Sequence, residues 1–315
     1  MSVKLKIEKG AFVRTHSGFR NWVTQDGSAG PSGSAGFAAE AGRYHLYISH
    51  ACPWAHRTMI YRALKGLEEV ISVSVVHPLM PEESWVFGAY PGATEDHVNG
   101  ASNMHEVYLK ADPDFNALVT VPVLWDKKCQ TIVNNESSEI IRMLNSAFDE
   151  FGHDEVDFYP PALQQEIDQV NDLVYENVNN GVYCAGFATS QEVYNEAYER
   201  LFNTLDELEA RLAKKRFLVG KQITEADWRL FTTLVRFDAV YYNHFKTNKK
   251  RLIDYPNLWA YTRELYQIPL VSDTVNMDHI KYHYFGSHHS INPTGIVPNG
   301  PEIDFLQPHG RGEKN

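Results

Sequence analysis

The sequence predicts two domains of different class, a mixed α/β domain followed by an all-helical one. Three observations carry this. A strand–helix–strand pattern occupies residues 44–76, and a pair of strand patterns with a further helix occupies 119–144. From Pro160 onward, apolar residues recur almost exclusively at helical spacing. At 315 residues the chain is long for one core and comfortable for two.

The elements follow in order. Residues 26–42 read DGSAGPSGSAGFAAEAG, a Gly/Ser/Ala-rich stretch, so 1–40 is expected to form a partly flexible N-terminal arm. Tyr44-His45-Leu46-Tyr47-Ile48-Ser49 alternates as a strand does. Cys52-Pro53 then opens a helix running to about Leu67, since proline suits the first helical position, where its missing N–H has no partner to lose. Val70 to Val76 is a second strand, and β-α-β implies a parallel pair joined by a crossover helix. A long Pro/Gly-containing segment runs from His77 to about Ala117. Val119–Asp126 and Gln130–Val133 read as a hairpin about Lys127-Lys128, in which Pro122 belongs at an edge or bulge because it removes a ladder donor. Asn135-Glu136-Ser137-Ser138-Glu139 begins a helix that continues through Leu144. The first domain is thus placed at 41–145.

Residues 146–315 form the expected helical domain with a C-terminal extension. Leu201, Leu205, Leu208 and Leu212 recur at helical spacing, as do Leu230, Leu234 and Phe237. Thr224 with Asp227 three residues on reads as a helix start whose carboxylate returns to the cap. The tail after about Lys281 is rich in His, Gly, Pro and Tyr and shows no period.

Composition narrows the function. Apolar residues make up 43% and charged residues 22%, a folded globular balance that excludes disorder for most of the chain. Against 29 Lys and Arg stand 40 Asp and Glu, a formal charge of −11 that would repel a phosphate backbone; with no basic stripe to override it, nucleic acid is not expected as a partner. No apolar run approaches the roughly 18 residues of a spanning helix, and the first residues lack a secretory apolar segment, so no membrane association is expected. Three scattered cysteines, Cys52, Cys129 and Cys184, are too few for a disulfide framework, and a reducing cytoplasm is the expected compartment.

Cys52 carries the chemistry. Between a strand and the first turn of a helix, free backbone N–H groups and the helix dipole favour the thiolate, which is the reactive form. A dithiol oxidoreductase needs Cys-x-x-Cys, but the fourth position here is Ala55. A mixed disulfide on Cys52 therefore has no neighbouring thiol to resolve it, and an external thiol must do so; in a cytoplasm glutathione is the candidate. Cys129 and Cys184 lie far off in sequence and are read as incidental.

The run YISHACPWAHR from Tyr47 to Arg57, with VPVLWD at 121–126 and NNESSEI at 134–140, resembles the glutathionyl-hydroquinone reductases, the Xi-class branch of the glutathione transferases. Asn180-Gly181-Val182-Tyr183, Phe217-Leu218-Val219-Gly220 through Trp228, and His283-Tyr284-Phe285 leading to INPTGIVP at 291–298 extend the likeness over nearly the whole chain. The resemblance implies a thioredoxin-like N-terminal domain, the all-α C-terminal domain of the glutathione transferase fold, a homodimer, and a site between the domains. It implies that Val121, before a cis Pro122, offers its backbone N–H and C=O to the cysteinyl part of glutathione, as an added strand would. Glu136 would take the γ-glutamyl amine, while Ser137 and backbone N–H groups at a helix N-terminus would take the carboxylate. Trp85 would pack against glutathione. Tyr183 and Tyr284 would reach the hydroquinone, with Tyr282 a further candidate. The implied reaction reduces a glutathionyl-hydroquinone through a Cys52–glutathione mixed disulfide, with glutathione as co-substrate and no tightly bound cofactor or metal. A related omega-type enzyme, reducing dehydroascorbate or glutathione mixed disulfides, would share Cys52 and the glutathione site but not the tyrosines. A non-catalytic scaffold of the same fold is the reading from another class, and an intact Cys52 argues against it.

Bland roles compete: Val-Pro in a hairpin as an edge device, Glu-Ser as a capping pair and the aromatics as core, readings that the order and register of the motifs after the Cys-Pro helix start outweigh. His56, four residues after Cys52, is expected to fix the helix. His279, His283, His288 and His289 match no familiar zinc spacing and are read as core or solvated residues. Thr224 and Asp227 are read as a folding cap.

Overall fold

The computed structural model describes residues 6–14, 17–81, 84–153 and 155–312. It divides into two compact units. Within the described residues, one comprises 17–157 with Asp273–His283, and the other 6–14, Phe158–Ser272 and 284–312. These limits differ from the expected boundaries at 40/41 and 145/146, and the reasons are local.

The chain opens on a short antiparallel hairpin, β1 (Lys6–Glu8) and β2 (Ala11–Val13), which belongs with the second unit. The rest of the expected arm, from residue 17, is laid along the first unit's sheet, and the part before residue 6 lies outside the described residues. The Asn21 N–H donates to the Val133 carbonyl at 3.0 Å and the Asn135 N–H to the Phe19 carbonyl at 3.2 Å, while Val23 and Phe37 are buried. Its glycines serve close approach. A Cβ on Gly30 would stand 2.4 Å from the Trp22 side chain, and one on Gly33, where φ is +80°, 2.2 Å from the Asn21 amide oxygen. A Gly/Ser-rich composition here marks tight packing of loop on loop, where flexibility was expected.

The first unit is built on a four-stranded sheet in the order β4-β3-β5-β6. The strands are β3 (Tyr44–Ile48), β4 (Ser72–Val75), β5 (Val123–Asp126) and β6 (Thr131–Asn134). β3 runs parallel to β4, as the β-α-β pattern requires, and antiparallel to β5, which pairs antiparallel with β6 through a bulge at Leu124/Trp125. All five residues of β3 are buried. The start of β3 is tied to the end of β5 by the buried pair Arg43–Asp126. Burial alone would raise the Asp126 carboxyl, but the Arg43 guanidinium and the local N–H donors outweigh it and hold the group below its ordinary value. Crossover helix α1 (Pro53–Leu64) packs beside α3 (Ser137–Ser146).

The segment 77–117 contains a helix the periodicity did not predict, α2 (Met104–Ala111). Asn103 caps it, accepting from the Glu106 N–H at 3.1 Å, while Glu106 accepts from the Ser102 N–H at 2.8 Å. Eight residues hold too little period to register, but the Asn-x-x-Glu spacing was a readable start signal.

The second unit is helical: α4 (Gln164–Val174), α5 (Gly181–Gly186), α6 (Gln191–Lys214), α7 (Glu225–Arg236), α8 (Tyr242–His244) and α9 (Pro256–Tyr266). Wide-turn segments at Tyr175–Asn179 and Phe237–Tyr241 join α4 toward α5 and α7 to α8. Leu201, Leu205, Leu208 and Leu212 of α6 are buried, as the spacing predicts. Helix α10 (Met277–Ser287) begins in the first unit and ends in the second. The tail is anchored by Arg311, a buried guanidinium that donates to Glu264 at 2.9 Å and to the carbonyls of Leu212, Lys215 and Arg216.

Thr224 and Asp227 form the expected capping box on α7. Asp227 also accepts from the Leu218 N–H at 2.9 Å and the Tyr261 hydroxyl at 2.7 Å, and burial pushes its carboxyl up. Asp227→Ala would leave several buried donors without an acceptor, so it should cost about 3 kcal/mol or more. A denaturant titration that finds the variant within about 0.5 kcal/mol of the parent would show that the box is dispensable.

Candidate active site

The end of β3 and the cap of α1 place Cys52. Its φ/ψ of −74°/120° is extended, its N–H donates to the Ser49 carbonyl at 3.1 Å, and its carbonyl receives the His56 N–H at 3.0 Å, the first bond of the helix. Pro53 at the first helical position continues this geometry without a lost donor. The Cys52 side chain is half-buried and does not cap the helix; Sγ donates instead to the Val121 carbonyl at 3.4 Å. Val121 immediately precedes β5 and its bond to Pro122 is cis. Residues 69 apart in sequence are therefore brought together, thiol against backbone.

Glu136 and Ser137 stand at the N-terminus of α3. Glu136 is its cap, accepting from the Ser138 N–H at 3.1 Å, the Ser138 hydroxyl at 3.0 Å and the Ser17 hydroxyl at 3.1 Å. Burial would raise this carboxyl, but the Ser138 donors, the Arg57 charge and Ser17 outweigh it, so the group sits below its ordinary value and is ionised at neutral pH. Ser137 is buried, with the Arg57 guanidinium 3.4 Å from its hydroxyl. Arg57 comes from α1, is itself buried, and lies 4.6 Å over the Trp54 ring. Ser17 and Arg57 were not singled out from the sequence. Arg57 lies inside the CPWAHR run but carries no signal apart from its register, and Ser17 falls in the stretch read as an arm.

Trp85 lies in the irregular segment before α2. It is buried, its carbonyl accepts from the Met104 N–H at 2.8 Å, and its indole stacks on the His283 ring with centroids 4.6 Å apart.

In the second unit, Tyr183 of α5 and Tyr284 of α10 share a hydroxyl–hydroxyl bond of 2.5 Å. A third tyrosine, Tyr241, completes the chain with its hydroxyl 3.1 Å from that of Tyr284. Tyr284 is enclosed; burial and its two tyrosine neighbours push its hydroxyl well above the ordinary value, so it remains a proton donor. Tyr183 is half-buried. Tyr282, two residues from Tyr284, belongs to the other unit and packs against Tyr90, with ring centroids 5.2 Å apart. Of the two, it is Tyr284 that joins Tyr183. Nothing in the sequence marked Tyr241, which reads as one more aromatic of a buried helix.

The remaining candidates take structural parts. His56 Nε2 lies 2.8 Å from the Thr274 hydroxyl and so ties α1 down. His279 and His283 contact the carbonyls of Pro91 and Pro78, and His288 contacts His244 at 3.1 Å. Among the described residues no group of three or more His, Cys, Asp or Glu is placed to hold a metal. Burial, with the Asp126 charge beside it for Cys129, pushes the thiols of Cys129 and Cys184 up. A cavity of about 290 Å³ in the second unit, lined among others by Asp238, Tyr242, Arg251 and Pro301, contains none of the site residues.

Residues 51–147 match the family model "Glutathione S-transferase, N-terminal domain" and residues 191–264 its C-terminal counterpart. The glutathionyl-hydroquinone reductase YqjG of Escherichia coli is 58% identical over 97% of this chain and 94% of that protein. The glutathione-bound structure of YqjG superposes with a TM-score of 0.92, covering 93% of this chain and 96% of that one. The Xi-class glutathione transferase of Phanerochaete chrysosporium, 50% identical, superposes at 0.89 over 94% of this chain and 95% of its own. The chain belongs to the glutathione transferases, in their Xi-class, glutathionyl-hydroquinone reductase branch. No helix among the described residues is long and apolar enough to cross a membrane.

Raised Cys129 and Cys184 thiols, set against a Cys52 at a helix N-terminus, give a testable order of reactivity. With limiting iodoacetamide at pH 7, peptide mass spectrometry should find Cys52 alkylated at least about tenfold faster than the others. Comparable labelling of Cys129 would refute the order.

Proposed function

We propose that this glutathione transferase reduces glutathionyl-hydroquinones to hydroquinones, with Cys52 as the nucleophile. The observation that carries the reading is the Cys52 sulfur at the N-terminus of α1, 3.4 Å from the carbonyl before a cis proline, with Ala55 where a resolving cysteine would stand. When the thiol ionises it gives up its bond to the Val121 carbonyl, and that carbonyl can then accept the N–H of glutathione's cysteinyl residue. Glu136 takes the γ-glutamyl amine with its remaining acceptor capacity, and Ser137, through its hydroxyl and its backbone N–H, takes the carboxylate. Trp85 covers the tripeptide.

Cys52 thiolate attacks the sulfur of the glutathionyl-hydroquinone, forming an S–S bond as the sulfur–aryl bond breaks. The pair of electrons from that bond passes to the ring carbon, which is reduced and takes a proton, while the two sulfurs are oxidised to a mixed disulfide. Carbon leaves poorly as an anion, so a donor at the ring is required. Tyr183 and Tyr284, coupled through their short hydroxyl bond, supply that proton. A second glutathione thiolate attacks the mixed disulfide at its glutathionyl sulfur, releasing glutathione disulfide and Cys52 thiolate. The omega-type alternative would need the same Cys52 and no tyrosine chain; the bonded trio of Tyr183, Tyr284 and Tyr241 favours the hydroquinone. A homodimer in the reducing cytoplasm completes the proposal, in keeping with the resemblance and with three free cysteines.

Cys52→Ala should abolish release of glutathione disulfide from a glutathionylated hydroquinone, followed by chromatography of the free hydroquinone; full activity in that variant would defeat the mechanism. Tyr183→Phe and Tyr284→Phe should slow hydroquinone release by about 10²-fold, the scale of general-acid catalysis, while sparing reduction of a small glutathione mixed disulfide. Equal losses on both substrates would make the tyrosines structural. Glu136→Ala should weaken glutathione binding about tenfold or more by calorimetry. Because the Glu136 carboxyl is held below its ordinary value, its contribution should persist through neutral pH and fall away only as pH drops through that lowered value. Glu136→Gln should lack this acid limb, and an unchanged limb would mean that another group titrates.

A further inference from the structure

Two histidines of α10 have no part in the reaction, yet both are buried and bonded. His279 Nε2 lies 2.7 Å from the Pro91 carbonyl, and His283 Nδ1 lies 2.9 Å from the Pro78 carbonyl. A carbonyl oxygen only accepts, so each of these nitrogens carries a proton. Four residues apart, the two rings lie on one face of the helix. Asp278 accepts from the Tyr90 hydroxyl at 2.7 Å, and the Tyr90 ring packs against both His279 and Tyr282. The chain on either side of Trp85 is thus bonded to α10, at Pro78 before it and at Tyr90 and Pro91 after it.

Between those ends the Trp85 indole stacks on the His283 imidazole, with centroids 4.6 Å apart and planes inclined by 27°. The backbone around Trp85 is fixed by other means: Met104 N–H to the Trp85 carbonyl, His77 N–H to the Val86 carbonyl, and Phe87 N–H to the Ser102 carbonyl, all at 2.8–2.9 Å. Such bonds leave the two side-chain torsions of the indole undetermined. A ring stacked on its face, and itself locked by a backbone bond, determines them. We propose that His283 is a positioning residue for glutathione binding: anchored on the Pro78 carbonyl, its imidazole holds the Trp85 indole in the orientation that meets glutathione. The inference rests on the assignment of Trp85 to the glutathione site. It also gives α10 a double duty, since the next residue, Tyr284, belongs to the proton-donating chain.

A double-mutant cycle on the full-length protein, with glutathione as the titrant in calorimetry, tests this. W85A and H283A should each weaken binding about five- to tenfold, the value of an aromatic pair. H283F keeps a ring but cannot donate to Pro78, and should lose about two- to fourfold. W85A/H283A should bind no more weakly than W85A, because His283 acts through the indole. In turnover of a small glutathione mixed disulfide, H283A should raise KM for glutathione and leave kcat within about twofold, a split that general destabilisation would not produce. If H283A unfolds, the same cycle with H283F answers the question. Loss in W85A with parental binding in both His283 variants would overturn the role, as would a double variant that loses both single factors. Parental binding in W85A would overturn the Trp85 assignment and this inference with it, leaving the Cys52 mechanism to the Cys52→Ala test.

Discussion

The placement of one thiol at the joint between a strand and a helix governs the rest of this site. Cys52 follows β3 after the short link 49–51, keeps an extended backbone as the cap of α1 and has its carbonyl already in the helix, and Pro53 makes that transition without loss. Its sulfur then meets the Val121 carbonyl only because β5 lies beside β3, antiparallel and in register from Tyr44↔Asp126 to Tyr47↔Val123. The buried Arg43–Asp126 pair fixes the far end of that register. A slip of one residue would turn every side chain of β5 to the other face and move the carbonyl away from the sulfur.

The readable parts of the fold were those with strong local grammar. Tyr44–Ile48, the Cys-Pro helix start, the hairpin about Lys127-Lys128 and the Thr224/Asp227 box each carry a pattern that one segment determines alone. What was not readable depends on distant partners. The Gly30 and Gly33 backbone is pressed against Trp22 and Asn21, and composition cannot tell such contact from flexibility. Likewise α10 was not readable: its last turn and a half falls in the tail that shows no period, yet the helix runs to Ser287 and is divided between the units after His283. The candidate residues of each unit show the same division: Cys52, Val121, Glu136 and Ser137 in the first and Tyr183 and Tyr284 in the second stand in motifs, whereas Ser17, Arg57 and Tyr241 are found only by their bonds.

The tyrosine chain has a physical logic that a single tyrosine would lack. A lone phenol that gave up its proton inside a low-dielectric site would leave an unsolvated anion, a costly state. In a bonded row, the hydroxyl of Tyr284 can turn its proton toward Tyr183 as Tyr183 donates, while Tyr241 stands behind it. Burial raises Tyr284, which keeps its own hydroxyl protonated at rest; in the proposed reaction a proton is given up only when a strong carbon base forms at the ring. That matches a reaction whose leaving group is carbon.

The N-terminus of α3, the proposed site for the γ-glutamyl end of glutathione, is both satisfied and open. An ionised carboxylate has about four acceptor positions. Glu136 uses three of them on the Ser138 N–H, the Ser138 hydroxyl and the Ser17 hydroxyl. Those bonds hold the side chain in a fixed orientation and keep it charged, yet leave capacity for one more donor. In that proposal an arriving ammonium meets a preoriented anion and costs little reorganisation, while its partner carboxylate meets the Ser137 N–H and hydroxyl at the positive end of the helix. Arg57, buried beneath Ser137, adds positive potential to the same spot without being exposed to solvent. A zwitterionic amino-acid end fits this pairing of fixed charges, and an uncharged or singly charged ligand of the same size would leave one of them unanswered.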